Sequence, residues 1–122
     1  MRPAGPLSDR FRQLDTLDDL AEVLAAADRE PVLIYKHSLT CGSSAWALEE
    51  VKALAEQTTV PIALVPVQTA RPVSNEIAAR FGVRHESPQL LIVERGRVLW
   101  HSSHSGVTAE RIHEALAQIA AR

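Results

Sequence analysis

The segment HSLTCGSSAW, residues 37–46, contains Cys41, the only cysteine of the chain. It follows the apolar run PVLIY, which predicts a strand, and it precedes a segment whose pattern predicts a helix. Backbone N–H groups and the helix dipole favour the thiolate form of a cysteine at the start of a helix. Because the neighbours of Cys41 are polar, a buried structural cysteine is the less favoured alternative. We therefore expect Cys41 to be a nucleophile that attacks disulfides.

Ser44 stands three residues after Cys41, at the position where a two-thiol redox protein would carry its second cysteine. A serine hydroxyl can hydrogen-bond to a thiolate, but it cannot resolve a mixed disulfide. Once Cys41 has taken up a sulfur partner, it must hold that adduct until an external thiol arrives. The spacing therefore predicts a one-thiol exchange mechanism.

This chemistry requires elements that bring a strand end and a helix start together. Apolar periodicity, caps and turn residues predict the elements in chain order. The first half of the chain contains a short strand at RFRQL, a helix from an N-cap at Thr16, a strand at PVLIYKH and a helix over about residues 41–57. The second half contains a strand at VPIALVPVQ, a helix at RPVSNEIAARFG, two strands in PQLLIVERGRVLWHS and a helix from an N-cap at Thr108. The two strands turn at Arg95–Gly96, where Gly96 supplies the positive φ. Pro66 cannot donate a ladder hydrogen bond, so its strand is expected at or near a sheet edge. A right-handed βαβ crossover followed by a ββα unit gives an α/β, thioredoxin-like fold, with a mixed four- to five-stranded central sheet flanked by helices.

Four further residues are expected around the cysteine in this arrangement. Ser87–Pro88 stands at the start of a strand, where a cis X–Pro bond is a deliberate feature. His37 ends the strand that leads into Cys41, where it stabilises the thiolate, moves a proton to the leaving thiol, or simply faces solvent. His85 precedes Pro88 by three residues and is expected to line the same groove.

Composition excludes several classes of protein. The 122 residues carry mixed charges with a formal net charge of -2, so neither a nucleic-acid nor a membrane partner is predicted. Five histidines show no zinc-binding spacing, and no metal site is predicted. Residues 1–8 are expected to be a loose leader before a single domain over residues 9–122. A lone cysteine and the absence of a signal-peptide pattern favour the cytoplasm.

The segment KHSLTC with Ser44, together with VQTARPVSNEIAARFGVRHESPQLLIVERGRVLWHSSH, resembles the YtxJ-like monothiol bacilliredoxin family. The resemblance runs from about residue 16 to the last helix. It implies a thioredoxin-like fold and the removal of bacillithiol, a low-molecular-weight thiol of cysteine, glucosamine and malate, from protein mixed disulfides. The cysteine and serine of the family's Thr-Cys-Pro-Ile-Ser motif correspond to Cys41 and Ser44, and the family's cis-proline corresponds to Pro88. Gly42 and Ser43 replace the Pro-Ile of that motif.

The resemblance also implies partners and binding residues. Bacillithiolated proteins are the expected substrates, with bacillithiol or another external thiol as reductant; bacillithiol is a co-substrate, and no resident cofactor is expected. The backbone of Ser87, before Pro88, is expected to pair with the bound partner. Because bacillithiol carries a malyl dicarboxylate, cations or helix N-termini should surround it, and the candidates are Arg71, Asn75 and Arg84. For each of these three, a solvated side chain with no ligand is the alternative.

Two other functions stay open at this point. The residues CGSS resemble the Cys-Gly-Phe-Ser motif of monothiol glutaredoxins, which share an iron–sulfur cluster between two subunits. This chain lacks their Phe and, in SSHSGVTAE, their Gly-Gly segment. The other alternative is a non-catalytic thioredoxin-like binding module in which Cys41 is incidental. Slow alkylation of the thiol at neutral pH would favour such a module.

Overall fold

The computed structural model describes residues 10–40 and 42–122 of the chain. In chain order the elements are β1 (Phe11–Gln13), α1 (Leu17–Ala26), β2 (Val32–His37), α2 (Gly42–Ala55), β3 (Ile62–Pro66), α3 (Arg71–Phe81), β4 (Gln89–Glu94), β5 (Arg97–Ser103), a short 3-10 turn (His104–Gly106) and α4 (Ala109–Ala121). Every predicted strand and helix is present. The predicted leader and Cys41 lie outside the described residues.

The five strands form one mixed sheet in the order β1-β3-β2-β4-β5. Strands β1, β3 and β2 run parallel, whereas β4 pairs antiparallel with both β2 and β5. One core lies between the sheet and helices α2 and α4, and a second core lies on the opposite face against α1 and α3. This architecture confirms the predicted α/β, thioredoxin-like fold.

Pro66 is the last residue of β3, which is the second strand from the edge. The Leu14 N–H donates to the Leu64 oxygen at 2.8 Å, so alternate residues of β3 direct their polar groups toward β1. Because β1 pairs only with Ile62 to Leu64, the missing N–H of Pro66 points past the end of β1. The predicted position near a sheet edge is therefore confirmed.

Local sequence signals set the element ends. Thr16 and Asp19 form a complete capping box at the start of α1, and the Thr108 side chain accepts from the third residue of α4. The β4–β5 turn needs two residues with positive φ, 52° at Arg95 and 74° at Gly96, as a type I′ turn requires. The prediction named Gly96 alone, so the left-handed arginine is an addition from the structure.

The ends of β2 and β3 and the start of β4 meet at one end of the sheet, which we call the site end. His37 is paired with Pro66 at the end of β3, and its oxygen accepts from the Val67 N–H at 3.0 Å. Lys36 is paired with Gln89, the first residue of β4. The chain leaves β2 at the site end and reaches the first residue of α2, Gly42, five residues later.

Candidate functional site

The Ser87–Pro88 peptide bond is cis, as predicted. Pro88 is buried, and its oxygen accepts a hydrogen bond from the His104 N–H at 2.8 Å. The end of β5 therefore fixes the backbone just before β4. Ser87 is half-buried beside it, and its predicted pairing with a bound partner stays a prediction.

The loop of residues 38–40, immediately before Cys41 in the sequence, is held by Gln68 from the segment after β3. The Gln68 Oε1 atom accepts from the Leu39 N–H at 3.0 Å. Its Nε2 atom donates to Ser38 Oγ at 2.8 Å and to Thr40 Oγ1 at 3.2 Å. One amide side chain thus binds three consecutive residues, a role that sequence reasoning missed.

Gln68→Ala should make the backbone amide of Leu39 exchange with solvent about five- to tenfold faster, because one hydrogen bond is worth about 1 kcal/mol. Hydrogen exchange followed by NMR measures this rate. Gln118→Ala, at an exposed position of α4, is the matched control and should leave the Leu39 rate unchanged. Equal Leu39 rates in the two variants would contradict the role of Gln68.

Ser44 is fully buried in the first turn of α2. Its Oγ atom accepts a hydrogen bond from the Ser38 N–H at 3.1 Å, and its backbone oxygen accepts from Tyr35 Oη at 3.0 Å. The side chain therefore joins the loop to α2, a structural role that the spacing from Cys41 does not reveal. Its predicted hydrogen bond to the thiolate stays a prediction.

His37 is held in one tautomer by its neighbour two residues earlier. The Tyr35 hydroxyl donates its single hydrogen to the Ser44 oxygen, so His37 Nδ1, 3.1 Å from Tyr35 Oη, must donate to it. The Nε2 atom is then the acceptor. Burial, and secondarily the charge of Lys52, lower the pKa of His37, so the ring is neutral at pH 7. A neutral His37 can transfer a proton to the leaving thiol, as predicted, but it carries no charge to stabilise a thiolate. The predicted proton transfer is therefore the role that this state fits better.

A second polar cluster lies on the opposite face of β2. Lys36 is fully buried, and its Nζ atom lies 3.2 Å from the Ser74 oxygen and 3.2 Å from His85 Nδ1. Burial lowers the pKa of Lys36 to about 8. The sequence predicts a strand at PVLIYKH, but that prediction gives no role to this lysine. The available signal is a lysine that directly follows the apolar run PVLIY within the same predicted strand.

Residues 12–112 match the family model BrxC, described as monothiol bacilliredoxin. This chain belongs to the monothiol bacilliredoxin family. The match covers the loop, the start of α2, the cis-proline and the Lys36 cluster, and it confirms the resemblance found in the sequence.

Solved structures confirm the fold of this family member. A thioredoxin-fold protein provisionally described as an oxidoreductase is 29% identical, with a TM-score of 0.77 over 87% of this chain and 93% of that one. Thioredoxin from Trypanosoma brucei brucei is 15% identical, with a TM-score of 0.76 over 100% and 98% of the two chains. Thioredoxin from Fasciola hepatica is 20% identical, with a TM-score of 0.71 over 88% and 97%. The two thioredoxins show the fold alone, whereas family and fold together support a thiol redox function.

The predicted binding residues of the bacilliredoxin are only partly brought together. Arg71 begins α3 and is close enough to His85 for its charge to lower the pKa of that ring. Arg84 immediately precedes His85, and its oxygen accepts from Gln89 Nε2 at 2.9 Å. Asn75 is exposed one turn beyond Arg71 on α3. Binding of a ligand by these residues stays a prediction.

Residues 10–40 and 42–122 also bear on membrane and metal partners. No helix in these ranges has the length and apolar character needed to cross a membrane. The same ranges contain no group of three or more His, Cys, Asp and Glu side chains arranged to hold a metal ion.

Proposed function

We propose that this chain is a monothiol thiol–disulfide oxidoreductase that removes bacillithiol from protein mixed disulfides through attack by Cys41. The observation that carries the proposal is the family match over residues 12–112 around a single cysteine. That cysteine falls in sequence between a hydrogen-bonded loop and the first residue of α2, Gly42. The first turn of α2 contains no acidic residue, so no helix carboxylate there opposes a negative sulfur.

The reaction consists of two thiol–disulfide exchanges. In the first, the Cys41 thiolate attacks the bacillithiol sulfur of a protein mixed disulfide. A disulfide forms between Cys41 and bacillithiol, and the client protein leaves as a thiolate. In the second, an external thiolate attacks the adduct, takes bacillithiol as a new mixed disulfide and restores the Cys41 thiolate. A neutral His37 with Nε2 as its acceptor is suited to move the proton of either thiol.

Exposed apolar residues that flank Cys41 in the sequence are consistent with a protein as the substrate. Leu39 is 65% exposed and Trp46 is 48% exposed, two residues before and five residues after Cys41 in the sequence. Exposed apolar groups beside a reactive residue favour contact with a protein surface. We place the reaction in the cytoplasm, where bacillithiol or another thiol acts as the reductant, with neither a nucleic acid nor a membrane as partner.

Release of the client thiol tests this function. A client protein with one bacillithiolated cysteine should regain its free thiol when it is incubated with the wild-type chain and an external thiol. Cys41→Ser keeps the size of the side chain but removes the nucleophile, so its rate should equal that of the external thiol alone. A coloured iron–sulfur protein with no client release would instead favour the cluster-carrier alternative, and equal release by both chains would contradict the proposal.

A further inference from the structure

Lys36 carries an amine into the interior on the α3 side of the sheet. Side chains of β2 alternate between the two faces, with Ile34 in the core against α1 and α3 and Tyr35 in the core against α2 and α4. The Lys36 amine accordingly reaches α3, where it donates to the Ser74 oxygen. A buried ammonium costs free energy unless it is hydrogen-bonded. Movement of an accepting group away from the amine is therefore unfavourable, and each hydrogen bond holds its acceptor in place.

The group constrained most is the imidazole of His85. Its Nδ1 atom lies 3.2 Å from Lys36 Nζ and 3.0 Å from Ser74 Oγ. An ammonium only donates, so Nδ1 must accept, and the proton of the neutral ring lies on Nε2. Burial first, then the charges of Lys36 and Arg71, lower the pKa of His85, which agrees with a neutral ring at pH 7.

The remaining donor of this ring is directed away from the interior. Lys36 and Ser74 are buried on the Nδ1 side, whereas His85 as a residue is exposed. The Nε2–H group is therefore on the side that a ligand reaches. Arg71, exposed at the first position of α3, adds a cation whose charge acts on the same ring.

The carboxylate next to His85 in sequence is occupied elsewhere. Hydrogen bonds from Ser103 and His104 lower the pKa of Glu86, and His104 Nε2 lies 3.2 Å from its Oε1 atom. Glu86 is thereby held toward the end of β5. The charge of Glu86 also acts on the His85 ring and raises its pKa, but its effect is smaller than that of either Lys36 or Arg71. The environment of the outward N–H of His85 is therefore positive on balance, which favours an anion.

We propose that Lys36 is a positioning residue that, through His85 and Ser74, presents an imidazole N–H donor beside Arg71 to a carboxylate of the thiol exchanged at Cys41. The proposal rests on the proposed function and adds a preference for anionic over neutral thiols. Lys36 does not contact the thiol. It acts by fixing the tautomer and the orientation of His85.

The test compares two mixed disulfides of one client protein, made with mercaptosuccinate, a dicarboxylate, and with 2-mercaptoethanol, which is neutral. The wild-type chain should have the higher kcat/KM with mercaptosuccinate. Lys36→Met should lower that kcat/KM about tenfold, mainly through KM. The reason is that the charge-assisted hydrogen bond from the His85 N–H to the carboxylate of the thiol is weakened. It should leave the 2-mercaptoethanol reaction within about twofold. Arg97→Met removes a cation at the opposite end of the sheet and should change neither reaction.

An NMR measurement separates positioning from a general loss of structure. Long-range ¹H–¹⁵N spectra should show His85 as the Nε2–H tautomer in the wild-type chain and as a mixture in Lys36→Met. An unchanged tautomer, or an unchanged ratio of the two kcat/KM values, would overturn the role of Lys36 while leaving the exchange reaction intact. If the wild-type chain reacts with neither disulfide, the proposed function itself fails.

Discussion

Lys36→Met should raise the free energy of unfolding at pH 7 by roughly 2–3 kcal/mol. Burial lowers the pKa of this amine from 10.5 to about 8, so the folded protein disfavours its charged form by about 3 kcal/mol relative to the unfolded chain. Methionine has a similar length and needs no hydrogen bonds. Substitution of a buried charge by an apolar side chain of similar volume is often stabilising for this reason.

The same substitution should change how stability depends on pH. Below about pH 8 the amine is charged in both states, and its cost is fully present. Between about pH 8 and 10.5 the unfolded chain holds a proton that the folded protein has released, so the free energy of unfolding rises with pH. In Lys36→Met this rise is absent, so its advantage over the wild-type chain should shrink across that range.

Urea unfolding from pH 7 to pH 10 measures both effects. Lys52→Met is the matched control, since Lys52 is the other lysine of the chain and is partly exposed beside Glu49. It should change stability by less than about 0.5 kcal/mol and keep the wild-type pH profile. Two results would contradict this account. In one, Lys36→Met is less stable than the wild-type chain at pH 7; in the other, the difference in stability between the two proteins does not change with pH. Either result would show that burial of the charged amine does not destabilise the folded protein.

Ser44→Cys should convert a persistent adduct on Cys41 into a transient one. The introduced thiolate attacks the Cys41 sulfur, an internal disulfide forms between Cys41 and the introduced cysteine, and bacillithiol leaves as a thiolate. In a single turnover followed by intact-mass analysis, the adduct should fall from nearly all of the wild-type chain to below about a tenth of the variant, as two-thiol exchange predicts.

Ser44→Ala is the matched control for this change. It removes the hydroxyl that accepts from the Ser38 N–H at 3.1 Å, so it should lower the free energy of unfolding by about 1–3 kcal/mol. Because it adds no thiol, the adduct should persist on Cys41. If the adduct also persists in Ser44→Cys, the position is unable to resolve the disulfide, and the interpretation of Ser44 as the replaced second thiol is wrong.

The elements were predictable because their signals are local. A cap at Thr16, an apolar run at PVLIY and a tight turn at Gly96 each depend on neighbours within a few residues. The cysteine, the serine after it and the cis-proline could be named for the same reason, since their spacing and the residues beside them carry the pattern.

The contacts that organise the site were not predictable, because they join residues far apart in sequence. The amine of Lys36 reaches Ser74 and His85, which are 38 and 49 residues away. Gln68 reaches back 30 residues to Ser38. Periodicity reports which face of a strand is buried, but it does not report which polar group from another element meets a buried lysine.

The most direct test of the one-thiol mechanism is the mass of the intact chain after a single turnover with a bacillithiolated client in the absence of external thiol. We predict one bacillithiol per chain, on Cys41, that remains until an external thiol is added. A client thiol set free with no adduct on the chain, or an adduct lost without an added thiol, would contradict the mechanism.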